Sequence, residues 1–115
     1  MSVTIYHNPR CSKSRQTLEI IREKNIEPKI IDYINKRIEL SEIKEVFRLL
    51  NIETVRLMTR TKESEFKDAG LDENSSDEEI FAAIIKFPKL LERPIVITDK
   101  GARICRPPEL VNEIL

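Results

Sequence analysis

Val3-Thr4-Ile5-Tyr6-His7-Asn8-Pro9-Arg10-Cys11-Ser12 contains a change of period that decides how the chain folds. Val3 to Tyr6 alternates apolar and polar side chains and is rich in β-formers, which predicts a strand. His7-Asn8-Pro9 ends it, because proline has no N–H to give to a ladder. From Ser12 the spacing is helical, with Leu18 and Ile21 three apart and Arg, Glu and Lys on the other face. Asn25 closes that helix. Pro28-Lys29-Ile30-Ile31-Asp32-Tyr33 then reads as a second short strand with β-branched residues at its centre. Strand, helix, strand over this length predicts a parallel βαβ unit.

Working outward, Ser41 is a candidate N-cap for a helix whose Ile43, Val46, Phe47 and Leu50 form one apolar stripe. Residues 51–70 are mixed and charged and read as two short helices with a polar connection. Ser76-Asp77-Glu78-Glu79 is a capping box that opens a helix carrying Ile80, Ala83, Ile84 and Phe87. After Pro94, Ile95-Val96-Ile97-Thr98 is a strand, Asp99-Lys100-Gly101 a turn, and Ala102 to Cys105 its hairpin partner. Pro107-Pro108 starts a last helix with Leu110, Val111 and Ile114 on its buried side. The order predicts an α/β protein, a thioredoxin-like mixed four-stranded sheet flanked by helices. A helical insertion, about Thr54 to Glu92, separates the βαβ and ββα halves within a single domain over residues 1–115.

The composition of the 115 residues agrees with such a globule: 40% hydrophobic, 35% charged, with 20 basic and 20 acidic side chains. Zero net charge argues against a general nucleic-acid or anionic-membrane binder, so anion chemistry must come from a local positive cluster. The longest apolar run, Ile80 to Ile85, is far short of the roughly 20 residues of a membrane span. No signal region precedes the first strand, which makes the cytoplasm the expected compartment. Two cysteines, Cys11 and Cys105, make no disulfide framework, and no metal site is expected.

Cys11 sits where strand meets helix. A helix N-terminus leaves N–H groups without acceptors and carries about half a positive charge. His7, Arg10, Lys13 and Arg15 all lie within four residues of the sulfur, and Ser12 and Ser14 add hydroxyls. A free thiol, with a pKa of about 8.5, is only about 3% ionised at neutral pH, and such surroundings lower the value by units. Cys11 is therefore expected to be largely thiolate at pH 7; the alternative is a small apolar side chain filling space at a helix start. For His7 two readings stand, a surface imidazole and a charge partner that stabilises the thiolate or moves a proton. Ser14 stands where C-x-x-C would place a second cysteine, so Cys11 has no local resolving thiol. Cys105 is the one internal alternative, and a strand residue facing the core is the expected reading.

Three arginines complete the candidate set. Arg93 precedes Pro94, which holds it extended and makes a cis bond possible. In a thioredoxin-like fold the turn before the third strand lies beside the cysteine. Arg106 follows the last strand directly, and Arg60 lies in the mixed region. Guanidinium groups grip tetrahedral oxyanions through paired N–H donors, although any one arginine could equally form a surface salt bridge.

Tyr6-His7-Asn8-Pro9-x-Cys11-x-x-Ser14-Arg15, Arg60, Glu92-Arg93-Pro94-Ile95-Val96 and Arg106-Pro107 together resemble the glutaredoxin-dependent arsenate reductase family, from about Val3 to Leu115. The resemblance implies a thioredoxin-like fold with a helical insertion, Cys11 as nucleophile, and Arg60, Arg93 and Arg106 as the oxyanion-binding arginines. It also implies His7 and Ser14, next to Arg15, as support for the thiolate, and Pro94 as a cis-proline. The implied reaction reduces arsenate, or a related oxyanion, to arsenite. Glutathione is the co-substrate, glutaredoxin the protein partner, and no cofactor is bound. The competing expectation is a non-enzymatic thiol redox sensor or regulatory partner-binding protein of the same fold, in which Cys11 becomes glutathionylated.

Overall fold

The computed structural model describes residues 2–115. Four strands, β1 (Thr4–Tyr6), β2 (Lys29–Ile31), β3 (Ile95–Thr98) and β4 (Gly101–Ile104), form one mixed sheet in the order β2-β1-β3-β4. β1 and β2 are parallel; β3 runs antiparallel to both β1 and β4. Helix α1 (Ser12–Glu23) makes the crossover from β1 to β2. The chain divides into two compact units, one of residues 1–36 with 93–115, the other of residues 37–92.

In the first unit Ile5 of β1 lies opposite Val96 of β3. Those two pack with Val3, Leu18, Ile21, Cys105, Val111 and Ile114 into a buried cluster between the sheet, α1 and the C-terminal segment. At 0–9% exposure each, these side chains supply the main stabilising term, on the order of 1.5–3 kcal/mol per large residue. Thr98 Oγ1 donates to the Ile114 carbonyl at 2.7 Å, tying β3 to the chain's end. The β3–β4 hairpin turns in two residues, Asp99 and Lys100, and Gly101 closes it at φ +131°, a conformation side chains disfavour.

The second unit holds α2 (Leu40–Leu50), a 3₁₀ turn (Val55–Met58), α3 (Ser64–Asp68), α4 (Asp77–Lys86) and a second 3₁₀ turn (Pro88–Leu90). It takes in the whole of the expected insertion and α2 as well. Ile43, Val46 and Leu50 of the expected stripe are buried, and Phe47 meets Phe81 edge to face with ring centroids 5.4 Å apart. The capping box forms as read: Ser76 Oγ accepts from Glu79 N–H at 3.2 Å, and Glu79 Oε1 from Ser76 N–H at 2.9 Å. Asn51 ends α2 in the left-handed region, at φ 55°.

Three local expectations shift. Ser41 is not the cap of α2: the helix opens at Leu40, because the Glu39 carbonyl already accepts the Glu42 and Ile43 N–H groups, both at 3.1 Å. β4 covers Gly101–Ile104, and Cys105 lies beyond it, its N–H on the Pro94 carbonyl at 2.9 Å. The last helix is a 3₁₀ segment (Pro108–Glu113) whose bonds span three residues, as in Leu110 N–H to the Pro107 carbonyl at 3.1 Å. Val111 and Ile114 are buried there as expected, while Leu110 is half-buried. Among the described residues no helix is long and apolar enough to cross a membrane.

Candidate active site

The loop between β1 and α1 is held by its own polar groups. Cys11 N–H donates to the Asn8 carbonyl at 3.0 Å, closing a turn, and Arg10 N–H donates to Asn8 Oδ1 at 3.0 Å. Arg15 Nη1 reaches back to the Pro9 carbonyl at 2.9 Å. Asn8 N–H donates to Ser14 Oγ at 3.1 Å, and the same hydroxyl shares a 2.6 Å hydrogen bond with His7 Nδ1. Asn8 thus fixes the turn through three of its polar groups, a role the Asn-Pro pair signals only as a break in the strand.

Cys11 occupies the N-cap of α1 in extended backbone, half-buried. Burial opposes its ionisation, but the N–H groups of Ser14 and Lys13 and the hydrogen bond and charge of Arg93 outweigh burial and hold the thiol below its ordinary value. Arg106 Nη1 stands 3.8 Å from the sulfur and donates to the Arg93 carbonyl at 3.1 Å. The Arg93–Pro94 peptide bond is cis, as is Arg106–Pro107. Sequence positions 82 and 95 residues from Cys11 are thereby brought to one sulfur.

Arg93 carries a further feature. Its Nε and Nη1 are buried without a hydrogen-bond partner. Buried donors left unmade cost about 1–3 kcal/mol each, so this guanidinium favours an acceptor with several oxygens.

His7 is buried, 8% exposed, which disposes of the surface-imidazole reading. Burial pushes its pKa down, with Arg22 and Arg15 adding to the effect and Asp32 opposing it. The ring is therefore neutral at pH 7 and acts on the loop through its hydrogen bond to Ser14, not as a positive charge. Asp32, on the segment following β2, is a neighbour that spacing did not reveal. Cys105 is fully buried, and burial raises its thiol to about 12. Arg60 belongs to the second unit, where it is anchored by its N–H on the Leu90 carbonyl at 2.6 Å and ion-paired with Glu63.

A mixed four-stranded sheet with one ionisable thiol at its first strand-to-helix turn, and a cis-proline preceding its third strand, is a thioredoxin-like thiol protein without a second local cysteine. The chain belongs to the ArsC family, whose model matches residues 6–114. It is 47% identical to an arsenate reductase of Haemophilus influenzae, with 100% of each chain covered. To a protein of Escherichia coli called YfgD it is 41% identical, over 98% of this chain and 96% of that one. A solved arsenate reductase from Vibrio cholerae superposes with a TM-score of 0.95 at 46% identity, covering 100% of this chain and 98% of the other.

Proposed function

We propose that the chain is an arsenate reductase that works through the Cys11 thiolate, with glutathione and glutaredoxin as its source of electrons. The observation that carries this reading is Arg93: it helps to hold the Cys11 thiol below its ordinary value and keeps two buried donors, Nε and Nη1, unmatched. A tetrahedral oxyanion set against the thiolate supplies the oxygens those donors lack. Arg106, with Nη1 3.8 Å from the sulfur, adds positive charge, and Arg60 is the third oxyanion ligand on the strength of the family resemblance.

The steps follow from a single thiol. Cys11 Sγ attacks arsenic and one oxygen leaves as water, protonated from the medium. Glutathione replaces a second oxygen in the same way, giving arsenic(V) bonded to two sulfurs. A glutaredoxin thiolate then attacks the glutathione sulfur; the As–S electron pair stays on arsenic, now arsenic(III), and a mixed disulfide departs. Water cleaves the remaining As–S bond and returns Cys11 and arsenite. Two thiols are oxidised to one disulfide for each two-electron reduction. Ser14 and neutral His7 hold the loop in which the thiolate forms. Cys105 takes no part, since its thiol is buried and protonated. Glutathione supply and reduced thiols assign the activity to the cytoplasm.

The test couples arsenate to NADPH loss through glutathione, glutaredoxin and glutathione reductase. Turnover is expected in wild type and in Cys105→Ser, none in Cys11→Ser. In Arg93→Ala the specificity constant is expected to fall about 30-fold, the loss of about 2 kcal/mol of charge-assisted hydrogen bonding. Folded wild-type protein that oxidises no NADPH with arsenate, yet forms a glutathione adduct at Cys11, would point to the redox-sensor alternative.

A further inference from the structure

Before Glu19 the chain has no Asp or Glu, and its cations there are Arg10, Lys13 and Arg15. In a protein whose 20 acidic side chains balance 20 basic ones, this stretch is one-sidedly positive, and Cys11 lies within it. Helix α1 has no acid in its first turn, whereas α2, α3 and α4 each have at least one. Several exposed cations elsewhere are matched: Arg22 with Glu27, Lys44 with Glu78, Arg48 with Glu45 and Arg103 with Glu113. Among the described residues no carboxylate pairs with Arg10 or Lys13. Arg15 is tied to the loop through the Pro9 carbonyl. Arg10 is exposed and Lys13 half-buried, and Asn8 fixes the backbone between them by accepting from the Arg10 and Cys11 N–H groups.

The Cys11 thiol is held down by the Ser14 and Lys13 N–H groups and by Arg93. The Arg10 and Lys13 side chains thereby keep their charge for whatever approaches the sulfur next. In the proposed reaction that is glutathione, whose two carboxylates and thiolate outweigh its one ammonium. It must reach an arsenic that already bears anionic oxygens, and like charges oppose the approach. We infer that Arg10 and Lys13 are specificity-determining residues: they offset that repulsion and select an anionic thiol over a neutral one as the partner of Cys11. The inference rests on the proposed use of glutathione at Cys11. One residue before the cysteine and two after it, both charges act within about a Debye length, about 8 Å at physiological salt. Their effect grows with the negative charge of the incoming molecule and vanishes for a neutral one.

The test needs no arsenate. The Cys11 thiolate attacks a small symmetrical disulfide: one S–S bond forms as another breaks, and the second half leaves as thiolate. Rates are measured with anionic glutathione disulfide, neutral hydroxyethyl disulfide and cationic cystamine, the neutral reagent reporting the nucleophile itself. In the Arg10→Gln, Lys13→Gln double variant the rate with glutathione disulfide is expected to fall about three- to tenfold. The rate with hydroxyethyl disulfide should stay within about twofold and that with cystamine should rise. At about 1 M salt, where the Debye length is about 3 Å, wild type and variant should converge. Lys24→Gln, about 20 Å along α1 from Cys11, should change none of the rates. In the coupled arsenate assay the double variant should raise KM for glutathione by a similar factor. Equal slowing with all three disulfides would mean that Arg10 and Lys13 act on the thiolate itself. Disulfide rates or a glutathione KM that do not change would mean that they do not act on the incoming thiol. In each case the inference falls and the proposed reduction stands. Folded wild type that discriminates by charge yet turns over no arsenate sinks the proposed reduction and leaves the charge selection in place.

Discussion

Ionising Cys11 costs hydration that the half-buried loop does not return, and that loss alone would raise its pKa above the ordinary value. The Ser14 and Lys13 N–H groups and Arg93 reverse the sign. The pH profile of Cys11 alkylation by iodoacetamide is therefore expected to inflect below that of a free cysteine peptide measured alongside, and Arg93→Met to move the inflection upward. An inflection that stays put in Arg93→Met would remove the guanidinium from the thiolate's support. Stability follows the same sign. A thiol whose folded pKa is depressed contributes stability that is present above the unfolded value and lost as pH falls through the folded one. The local part of this site was legible, since the cations and the helix start lie within four residues of Cys11. His7 was legible only as a neighbour: nothing in His7-Asn8-Pro9 shows the ring turned inward, and burial is what keeps it neutral. Arg93 and Arg106 were reached through the fold expectation and the resemblance, because no local period links them to the sulfur.

Elements were most legible where a backbone need and a side-chain pattern coincide. β3 was read at its observed bounds, Ile95–Thr98, because β-branched residues run between a proline and a tight turn. Ser76 was read as a cap because Glu79 follows at the spacing that returns the bond. Ser41 misled because no such partner enforces it, and the Glu39 carbonyl, two residues earlier, opens the helix instead. The Pro107-Pro108 signal was right about where a helical segment begins but silent about its hydrogen-bond step. For α4 the consequence is measurable. Asp77, the first residue after the cap, also accepts from Thr54 Oγ1 at 2.7 Å, so the start of this helix anchors the 3₁₀ turn as well. Ser76→Ala is expected to lower unfolding free energy in urea by about 1 kcal/mol at unchanged m-value. A loss under about 0.3 kcal/mol would mean that water replaces the cap.

For the molecule as a whole, 20 positive and 20 negative charges cancel, so no long-range field distinguishes one anion from another. Selection has to come from guanidinium groups aimed at short range, two of them at Cys11 in the first unit. The same architecture separates the two thiols. Cys105 lies in the buried cluster with Ile5, Val96, Val111 and Ile114, and burial, with Glu113 adding to it against the pull of Arg103, pushes its pKa up to about 12. A raised thiol pKa contributes stability that is present below the unfolded value of about 9 and lost as pH climbs toward 12. At pH 8 the native protein should then react with an aromatic disulfide at one thiol within the mixing time of a hand-mixed assay, and that thiol should be missing in Cys11→Ser. The second thiol should react only when the cluster opens, at a rate that rises with urea along the slope of global unfolding. Equal reactivity of both cysteines in the absence of denaturant would show instead that the C-terminal segment leaves the sheet on its own, and Cys105 would then be within reach of the chemistry from which its burial excludes it.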